Sequence, residues 1–125
     1  MKTLFILNDA PYGSERTYNG LRLAGAISKR EGSEKLLAGH PNEVRVFLIG
    51  DAVAAAHCHQ SVPQGFYNVE DMLGNVVRHG GSVGICGSCM EARGIADSDL
   101  AEGTSRSTLA ELTNWTVWAD KVLVF

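Results

Sequence analysis

Short apolar runs separated by helix-like stretches constrain this 125-residue chain more than any other feature. The runs fall at residues 4–7, 44–50, 82–86 and 121–125. They are nearly continuous in apolar residues rather than alternating, the pattern of strands buried on both faces of a parallel sheet. Between the first two, Tyr18, Leu21, Ala24 and Ile27 recur every three residues, as on one face of a helix. Ser14 is placed to cap it, Gly20 and Gly25 let it lie close on a sheet, and Glu31-Gly32-Ser33 ends it. Asp51 is placed to cap a short Ala-rich helix over 52–57. Val69, Met72, Leu73, Val76 and Val77 form a further helical pattern, and Leu109, Leu112, Thr113, Trp115 and Trp118 the last one. Residues 60–68 and 97–107 read as loop and polar connection. The alternation predicts an α/β fold: one doubly wound domain over 1–125, a mainly parallel sheet of four to five strands with helices on both faces.

In such sheets ligands bind at the carboxyl ends of the strands. That edge gathers the loops at 8–14, 50–51 and 86–93, which are distant in sequence. The last holds Cys86-Gly87-Ser88-Cys89, directly after a predicted strand and before a stretch able to start a helix. A thiol there faces free helix-start N–H groups, which favour thiolate over thiol. The plain alternative is that both cysteines are small apolar core residues.

Several function classes lose support. A net charge of −3 argues against non-specific nucleic-acid binding, which needs a basic surface. No stretch approaches the roughly 20 apolar residues of a membrane helix, and the N-terminal apolar run is too short for a signal peptide. The expected compartment is the cytoplasm, where Cys58, Cys86 and Cys89 would not form a disulfide framework. A thioredoxin-like chain would carry its CxxC near the N-terminus, whereas this one lies two-thirds along. Structural zinc needs a second ligand pair. His57 and His59 stand two apart at a helix end and do not share a face, so no metal and no cofactor are expected. Cys58, on the same predicted helix, is expected to pack against the sheet.

Residues 10–15, with Tyr12 and Ser14, resemble a helix start that cradles an anion, but no GxGxxG or GxxxxGK[ST] pattern is present. Glu15 would also repel a phosphate. Arg93-Gly94 reads equally as an anchor for an anion or thiolate and as a solvent-facing arginine with a turn glycine. Trp115 and Trp118, three apart, read as core or subunit contact.

Taken together, these residues resemble the DsrE/DsrF-like family, which includes the sulfur-relay subunits of tRNA thiolation, and within it the YchN-like branch. The matching runs are residues 10–15, Asn19 to Leu23, Gly50-Asp51-Ala52-Val53 and Tyr67-Asn68. Cys86-x-x-Cys89-x-x-x-Arg93-Gly94-Ile95, Trp115-Thr116 and Ala119 to Leu123 complete the set, in order along nearly the whole chain. The resemblance implies a parallel α/β sheet flanked by helices, a homo-oligomer (trimer or hexamer), and sulfur donor and acceptor proteins as partners. Cys86 matches the active cysteine of the sulfur carriers, ahead of an Arg-Gly pair, whereas Cys89 matches only the YchN-like branch. The expected function is a sulfur carrier. Cys86 accepts sulfane sulfur as a persulfide, Cys89 discharges or protects it, and Arg93, with Tyr12 and Ser14, holds the anionic group. The other readings are a binding or assembly protein without turnover and a CxxC redox protein.

Overall fold

A computed structural model describes residues 1–29 and 42–125. Five strands, β1 (Lys2–Leu7), β2 (Glu43–Leu48), β3 (Ser82–Cys86), β4 (Thr104–Ser107) and β5 (Lys121–Val124), form one sheet in the order β4-β3-β2-β1-β5. Every neighbouring pair is parallel. The helices among the described residues are α1 (Arg16–Lys29), α2 (Val69–Arg78), α3 (Gly87–Ala92) and α4 (Leu109–Trp118), and a 3₁₀ turn spans Gly50–Ala56. This is the doubly wound α/β domain the apolar runs predict.

The alternation of side chains along each strand divides the core in two. Phe5, Leu7, Val44, Val46, Leu48, Val83 and Ile85 face the larger layer, with Leu21 and Ala24 of α1 and Leu73 and Val76 of α2. An added Cβ at Gly20 would stand 2.5 Å from Leu7 Cδ2, so the glycine does let α1 approach the sheet closely. Leu4 and Phe47 face the other way and meet Leu112 of α4, with Ile6, Ile49 and Trp115 at the margin. One face is thus covered by α1, α2 and the 3₁₀ turn, the other by α4.

The predicted bounds differ from the observed ones in places that matter for the site. Helix α1 begins at Arg16, with the Glu15 carbonyl accepting from Asn19 N–H. Ser14 lies outside it, donating to Asp9 and accepting weakly from Arg16 N–H at 3.3 Å. The expected end of this helix at Glu31-Gly32-Ser33 lies outside the described residues. Asp51 does not cap: the cap position is Ile49, which has no polar side chain, and Asp51 sits in the first turn of Gly50–Ala56 with its carboxylate engaged by Arg93. Cys58 lies past that turn; it is half-buried, and its N–H is bonded to the Asp99 carbonyl at 2.8 Å. The stretch read as polar connection contains β4, an edge strand whose sequence, Thr-Ser-Arg-Ser, carries no apolar signal.

Candidate functional site

β3 delivers Cys86 to the carboxyl edge of the sheet. Its ladder with β4 runs to the last residue, pairing Cys86 with Ser107. The chain then turns directly into α3, with Cys86 as its N-cap. Gly87 suits this tight place: a Cβ would lie 3.1 Å from both Arg106 Nη1 and the Ser107 carbonyl oxygen, closer than ordinary contact.

Cys86 Sγ accepts the Cys89 N–H at 3.4 Å and lies 3.3 Å from Ser88 Oγ. Burial opposes its ionisation and is the largest single influence. The hydrogen bonds from the Cys89 thiol, the Ser88 hydroxyl and the N–H groups of Cys89 and Ser88 together outweigh burial. The Cys86 thiol is therefore held below its ordinary value. Cys89 is pushed the other way, by burial first and then by the hydrogen bond it gives to Cys86. The Gly50 N–H, 3.3 Å from Cys89 Sγ, and the charge of Arg93 only partly offset that. The pair is thus polarised: Cys86 is the more readily ionised thiol and Cys89 the one held protonated.

Beside Cys86 lies a cavity of about 350 Å³ between the end of β3, β4 and the start of α4. Ser88, Glu91, Arg106 and Ser107 supply its polar wall, and Phe47, Ile49, Leu109 and Leu112 its apolar one. The guanidinium in this wall is Arg106, which lies on the strand that polar composition conceals. The turn at Gly103, with φ of +82°, and the capping Thr108 bracket that strand and are its only signal in the sequence.

Of the candidates read from sequence, Cys86, Cys89 and Arg93 come together. Arg93 Nη1 donates to the Cys89 carbonyl at 3.0 Å, and its Nε and Nη2 donate to Asp51. Its charge acts on Cys89 rather than on Cys86. Tyr12 and Ser14 are not among the residues that line the cavity or bond the thiols. The Tyr12 hydroxyl donates to Gln60 Oε1 at 2.5 Å and accepts from Val69 N–H at 3.1 Å, and its ring stacks on Tyr67. Trp115 meets Phe47 edge to face, and both Trp115 and Trp118 stack on Arg45 of β2. Among the described residues no group of three or more His, Cys, Asp or Glu is placed to hold a metal ion, and no helix is long and apolar enough to cross a membrane.

Fold and site together define a small parallel α/β protein with a polarised pair of free cysteines at the carboxyl edge of its sheet. The chain belongs to the DsrE/DsrF-like family, whose sequence profile matches residues 1–125. It is similar to Protein YchN of Escherichia coli (strain K12), 40% identical over 124 residues that cover 99% of this chain and 98% of that one. The crystal structure of the ychN protein from E. coli superposes with a TM-score of 0.88 at 38% identity, covering 100% of this chain and 99% of that one. An uncharacterised protein of Methanocaldococcus jannaschii is 35% identical over 125 residues, the full length of both.

Proposed function

We propose that this protein is a sulfur carrier in which Cys86 accepts sulfane sulfur from a donor persulfide and passes it to an acceptor thiol. The observation that carries the reading is the polarised pair: a Cys86 sulfur at the strand end, favoured as thiolate by Cys89 and Ser88 and open to a cavity. Membership of a family that includes sulfur-relay proteins agrees with it.

In loading, the Cys86 thiolate attacks the outer sulfur of the donor. The donor's S–S bond breaks, its thiolate leaves with the electron pair, and Cys86 becomes a persulfide. In unloading, an acceptor thiolate attacks the terminal sulfur and Cys86 leaves as thiolate, so the cycle needs no oxidant or reductant. Cys89 offers a second exit. Its thiolate can attack the inner sulfur, releasing hydrosulfide and leaving a Cys86–Cys89 disulfide for a dithiol to reduce. Arg93, bonded to the Cys89 carbonyl and to Asp51, steadies the motif and favours the Cys89 thiolate needed for this exit. Tyr12 and Ser14 then support the neighbouring loops rather than the transferred sulfur.

The carrier works as a homo-oligomer, trimer or hexamer, in the cytoplasm, with donor and acceptor proteins as partners. Support comes from apolar side chains left in water on the α4 and β5 side: Val117 is 83% exposed and Val124 is 65% exposed. A strict monomer by light scattering across micromolar concentrations overturns that part.

Intact mass after incubation with a persulfide donor tests the chemistry. The wild type should gain about 32 Da, one sulfur atom, on Cys86. Cys86→Ser should abolish the gain and Cys89→Ser should keep and prolong it. Loading of Cys86→Ser at the wild-type rate overturns the assignment, and absence of any loading in the wild type leaves a binding protein without turnover.

A further inference from the structure

The cavity beside Cys86 carries a charge pattern that the transfer chemistry does not require. Among the described residues, Arg106 is the lone cation in its lining. Its Nε lies 2.8 Å from Asp97 Oδ1 and its Nη1 3.2 Å from Glu91 Oε1, so two carboxylates answer one guanidinium. A third carboxylate, Glu111, accepts the hydroxyl of the lining residue Ser107 at 2.5 Å. Glu111 stands in the first turn of α4, where it opposes the positive potential of that helix start. The other guanidinium near the motif, Arg93, is neutralised by Asp51 at 2.7 Å. Glu91 thus lines the cavity itself, while Asp97 behind Arg106 and Glu111 behind Ser107 bond to two of its lining residues, so three carboxylates stand in or against the wall that holds one cation. The other lining residues, Ser88, Ser107 and Thr108 among the apolar ones, are uncharged.

We propose that this cavity is a charge filter, admitting sulfur donors and acceptors whose thiol sits on an uncharged or cationic, apolar body and rejecting small anionic ones. Thiosulfate and carboxylate-bearing persulfides belong to the rejected class. Glu91 is the specificity-determining residue, because it lines the cavity and also holds Arg106 from the incoming group. The substrate class rests on the carrier reading of Cys86, whereas the filter acts on any reagent that must reach this sulfur. The bonds made and broken in the transfer are those already given, and only the approach of the donor is selected.

Alkylation of Cys86 tests the filter independently of sulfur transfer. The reduced protein is treated with neutral iodoacetamide or anionic iodoacetate, the Cys86 product is assigned by peptide mass, and each rate is divided by that reagent's rate with free mercaptoethanol. At low ionic strength the normalised iodoacetate rate should be at least about fivefold lower. The gap should narrow with added salt and in Glu91→Gln. A normalised ratio of one, or a gap indifferent to both salt and Glu91→Gln, overturns the filter. Matched persulfides of cysteamine and of 3-mercaptopropionate, normalised in the same way, test the substrate class, and the cationic member should load Cys86 faster. Equal loading by the two overturns the substrate assignment while leaving the carrier reading intact. An alkylation gap with no loading by either overturns the carrier reading and the sulfur substrates with it, while upholding the filter.

Discussion

Arg93 gives both Nε and Nη2 to a single oxygen of Asp51, at 3.1 and 2.7 Å, and so ties the loop after β2 to the end of α3. The pair spans 42 residues of sequence and brackets Cys89, whose sulfur takes the Gly50 N–H on one side and whose carbonyl takes Arg93 on the other. Arg93 therefore belongs to the Cys89 half of the motif, with its charge largely balanced.

Removing that balance should change acidity more than stability. Asp51 is 70% exposed, so Asp51→Asn should alter unfolding free energy by less than about 1 kcal/mol. The freed Arg93 should make Cys89 more acidic, read by thiol titration in a Cys86→Ser background. An unchanged Cys89 titration would show that Arg93 acts only as a brace.

The two thiols should also give stability opposite pH slopes. Cys86 is more acidic folded than unfolded, so between its folded and its ordinary value the unfolded chain binds more protons and stability rises with pH. Cys89 is less acidic folded, so between its ordinary and its raised value stability falls with pH. Thermal unfolding of the reduced protein across that range should show a rise and then a fall. Cys86→Ser should remove the rise. Cys89→Ser should shift Cys86 titration upward, since the Cys89 thiol gives the strongest of the hydrogen bonds that favour its thiolate. Identical Cys86 titration with and without Cys89 would contradict the polarised pair.

Helix α4 is held to its face of the sheet by a small cluster, and one residue should matter greatly. Leu112 is 8% exposed against Leu4 and Phe47, so Leu112→Ala should cost about 2–4 kcal/mol in urea unfolding. Leu109, one turn earlier and 72% exposed, should cost within about 0.5 kcal/mol when changed to Ala. Equal losses would mean that α4 is anchored by something other than this cluster.

Gly84 reports on the same interface from below. A Cβ there would meet Trp115 Cη2 at 3.1 Å and both Phe47 Cδ2 and Ser107 Cβ at 3.3 Å. Gly84→Ala should destabilise by about 1–3 kcal/mol through overpacking and shift tryptophan emission as Trp115 moves. A stable variant with unchanged emission would show that the helix yields without strain.

The strands that proved legible in the sequence are those that carry apolar runs: β1, β2 and β3, whose burial demands them, and β5, an edge strand whose valines stay exposed. β4, the other edge strand, carries no apolar run in Thr-Ser-Arg-Ser, and with it went Arg106 and the wall of the cavity. Cys86 was legible because a strand end and a helix start are both local events. The partner of Arg93 was not, since nothing local distinguishes Asp51 drawn to a distant guanidinium from Asp51 capping the helix it enters. Tyr12 and Ser14 show the same limit: a turn-rich helix start reads as a cradle until Gln60, Val69 and Asp9 are seen to occupy their hydroxyls.

The ladder that pairs Cys86 with Ser107 has a mechanical consequence. The sulfur sits on the last rung of a five-stranded sheet and on the first residue of a helix, so it has no lever arm and no reach. On the proposed carrier reading, Cys86 cannot swing its cargo between stations as a flexible tail does. On that reading each donor and acceptor would bring its own thiol on a protruding segment into the mouth beside β4, and handover becomes a question of which visitor fits.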